Sequence, residues 1–162
     1  MPRHPSARPL ECYEQQLAIT RENSDRRGES SALGNLANAY ATLGDPRHAI
    51  EVNEQALTIM REIGDRRAEG KTLGKLGLAH FALGEHRHAT KFHEQSVTIA
   101  REVGDRSSEG TALLNLALAL NRVGENSAAI EHLSVAAKIL DEIEDPDGAR
   151  AHTLLDEWRR AT

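Results

Sequence analysis

Apolar residues recur along this chain at helical spacing. Leu33, Leu36, Ala37 and Tyr40 stand at i, i+3, i+4 and i+7, on one stripe of a helix. A second stripe, Ala49, Val52, Ala56, Ile59 and Ile63, follows after Gly44. Nowhere does the alternation of a half-buried strand appear. Gly44, Gly84 and Gly124 sit where the first helix of each pair must stop, and Gly64 and Gly104 do the same after the second, each suited to a left-handed C′ residue. Asp65 and Asp105 come next and are good N-caps. Asp145-Pro146 puts proline at the first helical position, where its missing N–H costs nothing. These signals predict helices at about 8–23, 26–43, 46–63, 66–83, 86–103, 106–123, 126–143 and 147–160.

The pattern repeats every forty residues without a slip. Leu33, Leu73 and Leu113 correspond, as do Leu36, Leu76 and Leu116, then Ala49, Ala89 and Ala129, then Ile59, Ile99 and Ile139. Asp25, Asp65, Asp105 and Asp145 mark the boundaries, and Glu29, Glu69 and Glu109 follow three of them. A period of this length means stacked supersecondary units. One helical hairpin cannot bury its stripe alone, so neighbouring hairpins must supply the missing wall. The expected fold is therefore all-α, an α-solenoid of antiparallel helix pairs. Residues 1–162 read as a single array: 8–23 the second helix of an incomplete repeat, 24–63, 64–103 and 104–143 three repeats, and 147–160 a C-terminal capping helix.

Leu36-Ala37, Leu76-Gly77 and Leu116-Ala117, the Gly-Asp/Glu turns, and the small residues Ala49/Ala89/Ala129 and Ala56/Ser96/Ala136 resemble the tetratricopeptide repeat. Tyr40 matches that family's large first-helix residue, while His80 and Leu120 replace it in later copies. Asn53, His93 and Leu133 occupy a place usually aromatic. The forty-residue period with E-x-G-D-R at the boundary is similar to Pins/LGN-type repeats and to repeats attached to bacterial NB-ARC-type signalling ATPases. The resemblance implies a right-handed solenoid whose first helices line a concave groove for a peptide of a partner protein. It also places Ser31, Asn35, Asn38 and Thr42, then Lys71, Lys75, Leu78 and Ala82, then Thr111, Asn115, Leu118 and Arg122 on the groove face.

Those positions carry chemistry suited to a backbone. Asn is a poor residue for a helix interior, and its amide both donates and accepts. Asn35, Asn38 and Asn115 thus read as grips for a peptide main chain. Charge adds a preference. Residues 24–63 hold four basic and six acidic groups, residues 64–103 seven and five, and residues 104–143 three and six. Only the middle unit is basic, and Arg67, Lys71 and Lys75 lie one turn apart, facing an acidic peptide or a C-terminal carboxylate. The candidate groove is therefore Asn35, Asn38, Arg67, Lys71, Lys75, Asn115 and Arg122.

Composition narrows the other classes. A net charge of −5 and five aromatics in 162 residues argue against nucleic-acid binding. A single Cys12 excludes an intrachain disulfide and any multi-cysteine metal site. His86 and His88 at i, i+2 diverge around a helix, and His88 and His93 are poorly matched, so no metal or cofactor is expected. His48 and His88 read as one repeated surface position. No phosphate loop, nucleophile elbow or triad is present, so the chain reads as non-enzymatic. The longest apolar run, Leu116–Leu120, is far too short to span a membrane, and the MPRHPSARP start has no apolar segment, which suggests a cytoplasmic protein without a membrane partner. Two functions remain: a peptide-binding scaffold, or an oligomerising or sensor segment of a larger signalling ATPase that makes contact through its edges. The second rests on Leu10, Tyr13 and Leu17, expected to form an open N-terminal edge prone to self-association.

Overall fold

The structure, a computed structural model, describes residues 7–161, with side chains from Leu10 onward. Eight helices account for nearly all of the described residues: α1 Ala7–Glu22, α2 Arg26–Thr42, α3 Pro46–Glu62, α4 Arg66–Ala82, α5 His86–Glu102, α6 Arg106–Arg122, α7 Asn126–Glu142 and α8 Asp147–Ala161. No strand occurs among the described residues. The helix ends fall within a residue or so of the periodic pattern. Pro46 takes the first position of α3, whereas Pro146 sits in the turn and α8 starts one residue later. Residues 1–6 of MPRHPSARP lie outside the described residues, and helix begins already at Ala7.

Each turn closes the same way. At Gly44 φ is +74°, and the Asp45 N–H donates to the Tyr40 carbonyl at 2.9 Å while the Gly44 N–H donates to Ala41 at 3.1 Å. This is the Schellman pair of bonds that satisfies the last carbonyls of a helix. The next helix then starts under an aspartate: the N–H groups of Gly28, His48, Ala68 and Ser108 donate to Asp25, Asp45, Asp65 and Asp105 at 2.9–3.2 Å. Glu85 and Glu125 hold the same place without making that bond.

Packing follows chain order, each helix against its neighbours in sequence, with α4 also reaching α6. The aligned leucines Leu33, Leu73, Leu113, Leu36, Leu76 and Leu116 are all buried, and so are the small residues Ala49, Ala56, Ala89, Ser96, Ala129 and Ala136. Where side chains are small the helices approach closely: the Ser96 hydroxyl donates to the Gly70 carbonyl at 2.8 Å, joining α5 to α4. Ala89 has no exposed surface. Ala89→Phe is therefore expected to destabilise the stack by roughly 1–3 kcal/mol through overpacking, read as a lowered midpoint in urea; an unchanged midpoint would contradict this packing. At the C-terminal end Ala151 and Leu155 are buried and Leu154 and Trp158 half-buried against α7, so α8 covers the last hairpin.

The boundary glutamates prove to be structural. Glu69 is buried and accepts from Arg61 Nε at 2.8 Å and from Arg66 Nη1 at 2.6 Å, and Arg66 continues to Glu102. Glu29 repeats this with Arg21, Arg26 and Glu62, and Glu109 with Arg101, Arg106 and Glu142. Each clasp ties the end of one hairpin to the start of the next through charge-assisted bonds. Arg21 bonding leads the forces that lower the Glu29 pKa below the usual carboxylate range, against the opposing pull of burial.

The stripe Leu10, Tyr13 and Leu17 departs from its expected exposure. Leu17 is buried and the other two are half-buried, all three in one cluster with Leu33 and Leu36 of α2. The helix that follows them in sequence covers them. The exposed large apolar side chain of α1 is Ile19.

Candidate functional site

The candidate residues lie on α2, α4 and α6. Asn35, Asn38, Arg67, Lys71 and Arg122 are exposed or partly so, and Lys75 and Asn115 are half-buried. Their neighbours on the stripe differ in role. The Thr42 hydroxyl donates back to the Asn38 carbonyl at 2.9 Å, a bond within its own helix. Leu78 is half-exposed despite its apolar side chain.

Only part of the stripe converges on one concavity. A cavity of about 530 Å³ lies between α2, α3 and α4, lined by Ala37, Asn38, Ala41, Gly44, Pro46, Ala49, Asn53, Lys75, Leu78, Ala79 and Ala82. Its walls are mostly alanine, proline and leucine, so it suits an apolar group. Three polar functions break that surface, the Asn38 amide from α2, the Asn53 amide from α3 and the Lys75 ammonium from α4. Burial first, and then the neighbouring Lys71, hold the Lys75 ammonium below its usual pKa. A cation in that position gains from an anionic ligand that offsets both penalties.

Asn53 is the residue that sequence reasoning left outside the site. It lies on α3, is 2% exposed, and its Oδ1 has no hydrogen-bond partner among the described residues. A buried acceptor without a donor costs about 1–3 kcal/mol, so a ligand N–H reaching it would recover that loss. The signal was present: Asn53 stands where a large aromatic is usual, and a smaller side chain leaves the space that Ala37 and Ala49 now border. The corresponding His93 and Leu133 are larger and equally buried.

The remaining predicted residues are placed elsewhere. Arg67 Nη1 donates to Asp105 Oδ2 at 3.2 Å, spanning the boundary between α4 and α6. Asp105, with the Ser108 N–H as the leading cause, sits below the usual carboxylate range. Asn35, Asn115 and Arg122 are on the same stripe but do not line the cavity.

The histidines also sort differently from their sequence spacing. His93 is buried, with neither ring nitrogen bonded among the described residues. His86 stacks at a tilt on Phe81, ring centroids 4.8 Å apart. His48 and His88 are both exposed, as expected of a repeated surface position. His88 also approaches His80, across the turn from α4. No helix among the described residues is long and apolar enough to cross a membrane.

The chain resembles several solved structures. The putative kinesin light chain with nearly identical TPR-like repeats from Podosopora anserina shares 23% identity, with a TM-score of 0.79 over 96% of this chain and 78% of that one. A Rap protein complexed with competence and sporulation factor gives a TM-score of 0.77 at 16% identity, covering 92% of this chain and 42% of the other. The tetratricopeptide repeat sensor protein of Pyrococcus horikoshii, a signal transduction ATPase with numerous domains, gives 0.69 at 15% identity, over 96% of this chain and 28% of that one. No curated protein sequence matches. At these identities the structures establish the fold alone. The family model for the tetratricopeptide repeat matches residues 10–62 and 64–155, which takes in the three glutamate clasps and the small-residue contacts described above. The chain belongs to the tetratricopeptide repeat family.

Proposed function

We propose that the chain is a non-catalytic, cytoplasmic interaction scaffold, one array over residues 1–162, whose first-helix groove holds a peptide segment of a partner protein. The observation that carries this is the apolar concavity with Asn38, Lys75 and the unpartnered Asn53 Oδ1 on its walls. An apolar side chain fills the cavity, a main-chain N–H reaches Asn53, and a carboxylate lies against Lys75. Asn35 and Asn115 extend the grip to either side, and Lys71, Arg67 and Arg122 bias it toward acidic sequence. Arg67 does so by exchanging its Asp105 partner for the ligand. The Rap structure is that of a protein complexed with a factor, which supports a binding role for this fold.

The test is a partner recovered by pull-down and titrated at two salt concentrations. Exposed ion pairs contribute about 0.2–1 kcal/mol each. Lys71→Glu with Lys75→Glu should cost more than that through added repulsion, leave the melting midpoint nearly unchanged, and flatten the salt dependence. Equal affinity for the double variant would remove the binding site from this face.

A second reading, a sensor segment of a larger signalling ATPase that associates through its edges, is supported by the Pyrococcus likeness and by Ile19, 57% exposed on α1. Sedimentation separates the two. Self-association that Ile19→Lys abolishes supports the edge reading, and a monomer at high concentration rejects it.

A further inference from the structure

The α4–α5 turn brings together three ligand-bearing side chains that the groove does not use. His80 Nδ1 lies 2.6 Å from Glu85 Oε2, and His88 Nδ1 lies 3.7 Å from the same oxygen. One ligand atom from each residue can be chosen so that all three fall within 4.8 Å of one another. We propose that His80, Glu85 and His88 form a binding site for a divalent transition ion of the zinc type.

The donor set favours such an ion. Two imidazoles and one carboxylate suit zinc and its first-row neighbours, whereas magnesium and calcium prefer oxygen alone. Zinc bonds of about 2.0–2.2 Å to nitrogen and oxygen, arranged tetrahedrally, put neighbouring donors a little over 3 Å apart. The present separations straddle that value. The His80–Glu85 pair must open and the His88–Glu85 pair close, movements open to the exposed Glu85 and His88 side chains. His80 is already fixed. Its side chain is mostly buried and stacks on Phe92, ring centroids 5.0 Å apart and planes 12° from parallel. Ligation through Nδ1 uses the tautomer with its proton on Nε2. The single contact to Glu85 is then replaced by two bonds to one ion, with a coordination position left open to solvent.

Internal comparison shows why the middle repeat alone has this set. At the matching places the first repeat carries Tyr40, Asp45 and His48, and the third carries Leu120, Glu125 and Ala128. Asp45 is short enough to cap the His48 N–H. Glu85, one methylene longer, makes no cap bond and reaches the two imidazoles instead. Glu125 is equally uncapped but meets no histidine at positions 120 and 128. The constellation therefore does not follow from the demands of the turn, which closes without it in both neighbouring repeats.

Zinc alone, titrated calorimetrically into the untagged full chain, should bind at one equivalent and raise the melting midpoint. Cobalt should give the visible absorption of a low-coordinate site. His80→Leu with His88→Ala installs the side chains that the third repeat already tolerates, so the fold is retained. It should lose the one-equivalent site, and Glu85→Gln should weaken it at least about tenfold, the scale on which even outer-shell changes weaken metal sites. His48→Ala and His152→Ala, exposed histidines beside Asp45 and Asp141, should leave it intact. No binding, several weak equivalents shared among all variants, or unchanged affinity in the double variant would each overturn the proposal.

Discussion

Gly77→Ala is expected to destabilise the fold by roughly 1–3 kcal/mol, the range for forcing an extra methyl group into a packed core. A Cβ at this position would lie 2.5 Å from His93 Cε1, 2.7 Å from Nε2 and 2.8 Å from Nδ1. The ring cannot yield easily, because three of its atoms are struck at once and its residue is 1% exposed. The same change at Gly34 meets nothing within 4 Å. There it should stabilise, by about 0.5–1 kcal/mol of helix propensity. Opposite signs for one chemical change on two first helices make the comparison decisive. The third repeat shows how to relieve the clash, since it places Ala117 and Leu133, both fully buried, at the positions of Gly77 and His93. Gly77→Ala combined with His93→Leu recreates that pair and should recover most of the lost stability, a coupling of about 1–3 kcal/mol in a double-mutant cycle. Additive losses would mean that the two residues do not meet.

This pairing also shows what the sequence made legible and what it hid. Helix ends, turn glycines and the buried leucines follow from local rules, spacing and capping, and every one of those rules acts within a few residues. Glu29, Glu69 and Glu109 stood out by position, yet their clasps join residues 8 and 36 apart in sequence, as in Arg61 to Glu69 and Arg66 to Glu102. No periodicity of one helix reports such a contact. Gly70, Gly77 and Gly110 lie against Ile99, His93 and Leu140 of the following helix, partners that no spacing within one helix names. The stripe Leu10, Tyr13 and Leu17 looked uncovered because covering was sought before it in sequence, whereas α2 provides it from behind. Of the residues lining the cavity, Asn38 and Lys75 lie on the first-helix stripe, whereas Asn53 belongs to a second helix and joins them only because α2, α3 and α4 close on one cavity. The grouping of His80 with Glu85 and His88 is hidden for the same reason, since the three residues meet across a turn and not along one helix.

His93 makes the stability of the array sensitive to mild acid. Burial alone depresses its pKa from the ordinary 6.5 to about 4. The direction of the effect follows from proton counting. Between those values the unfolded chain takes up a proton that the folded chain refuses, so stability falls as pH drops through this window. The contribution is fully present above about pH 6.5 and exhausted near pH 4. Each pH unit between the two values is worth about 1.4 kcal/mol, which makes a total of about 3 kcal/mol. Glu29, Glu69, Asp45 and Asp105 have lowered pKa values and also lose stability in acid, but only as pH falls below their ordinary values near 4. The stretch from about pH 6.5 to pH 4.5 therefore lies above the carboxylates, and comparison with a chain lacking His93 separates its contribution from that of the other histidines. Urea unfolding of the natural chain across that stretch should show a steady fall in midpoint. The Gly77→Ala, His93→Leu chain, with the same packing and no titrating group at the site, should hold its midpoint there and decline only once the carboxylates protonate. Parallel losses in the two chains would place the acid sensitivity in some group other than His93.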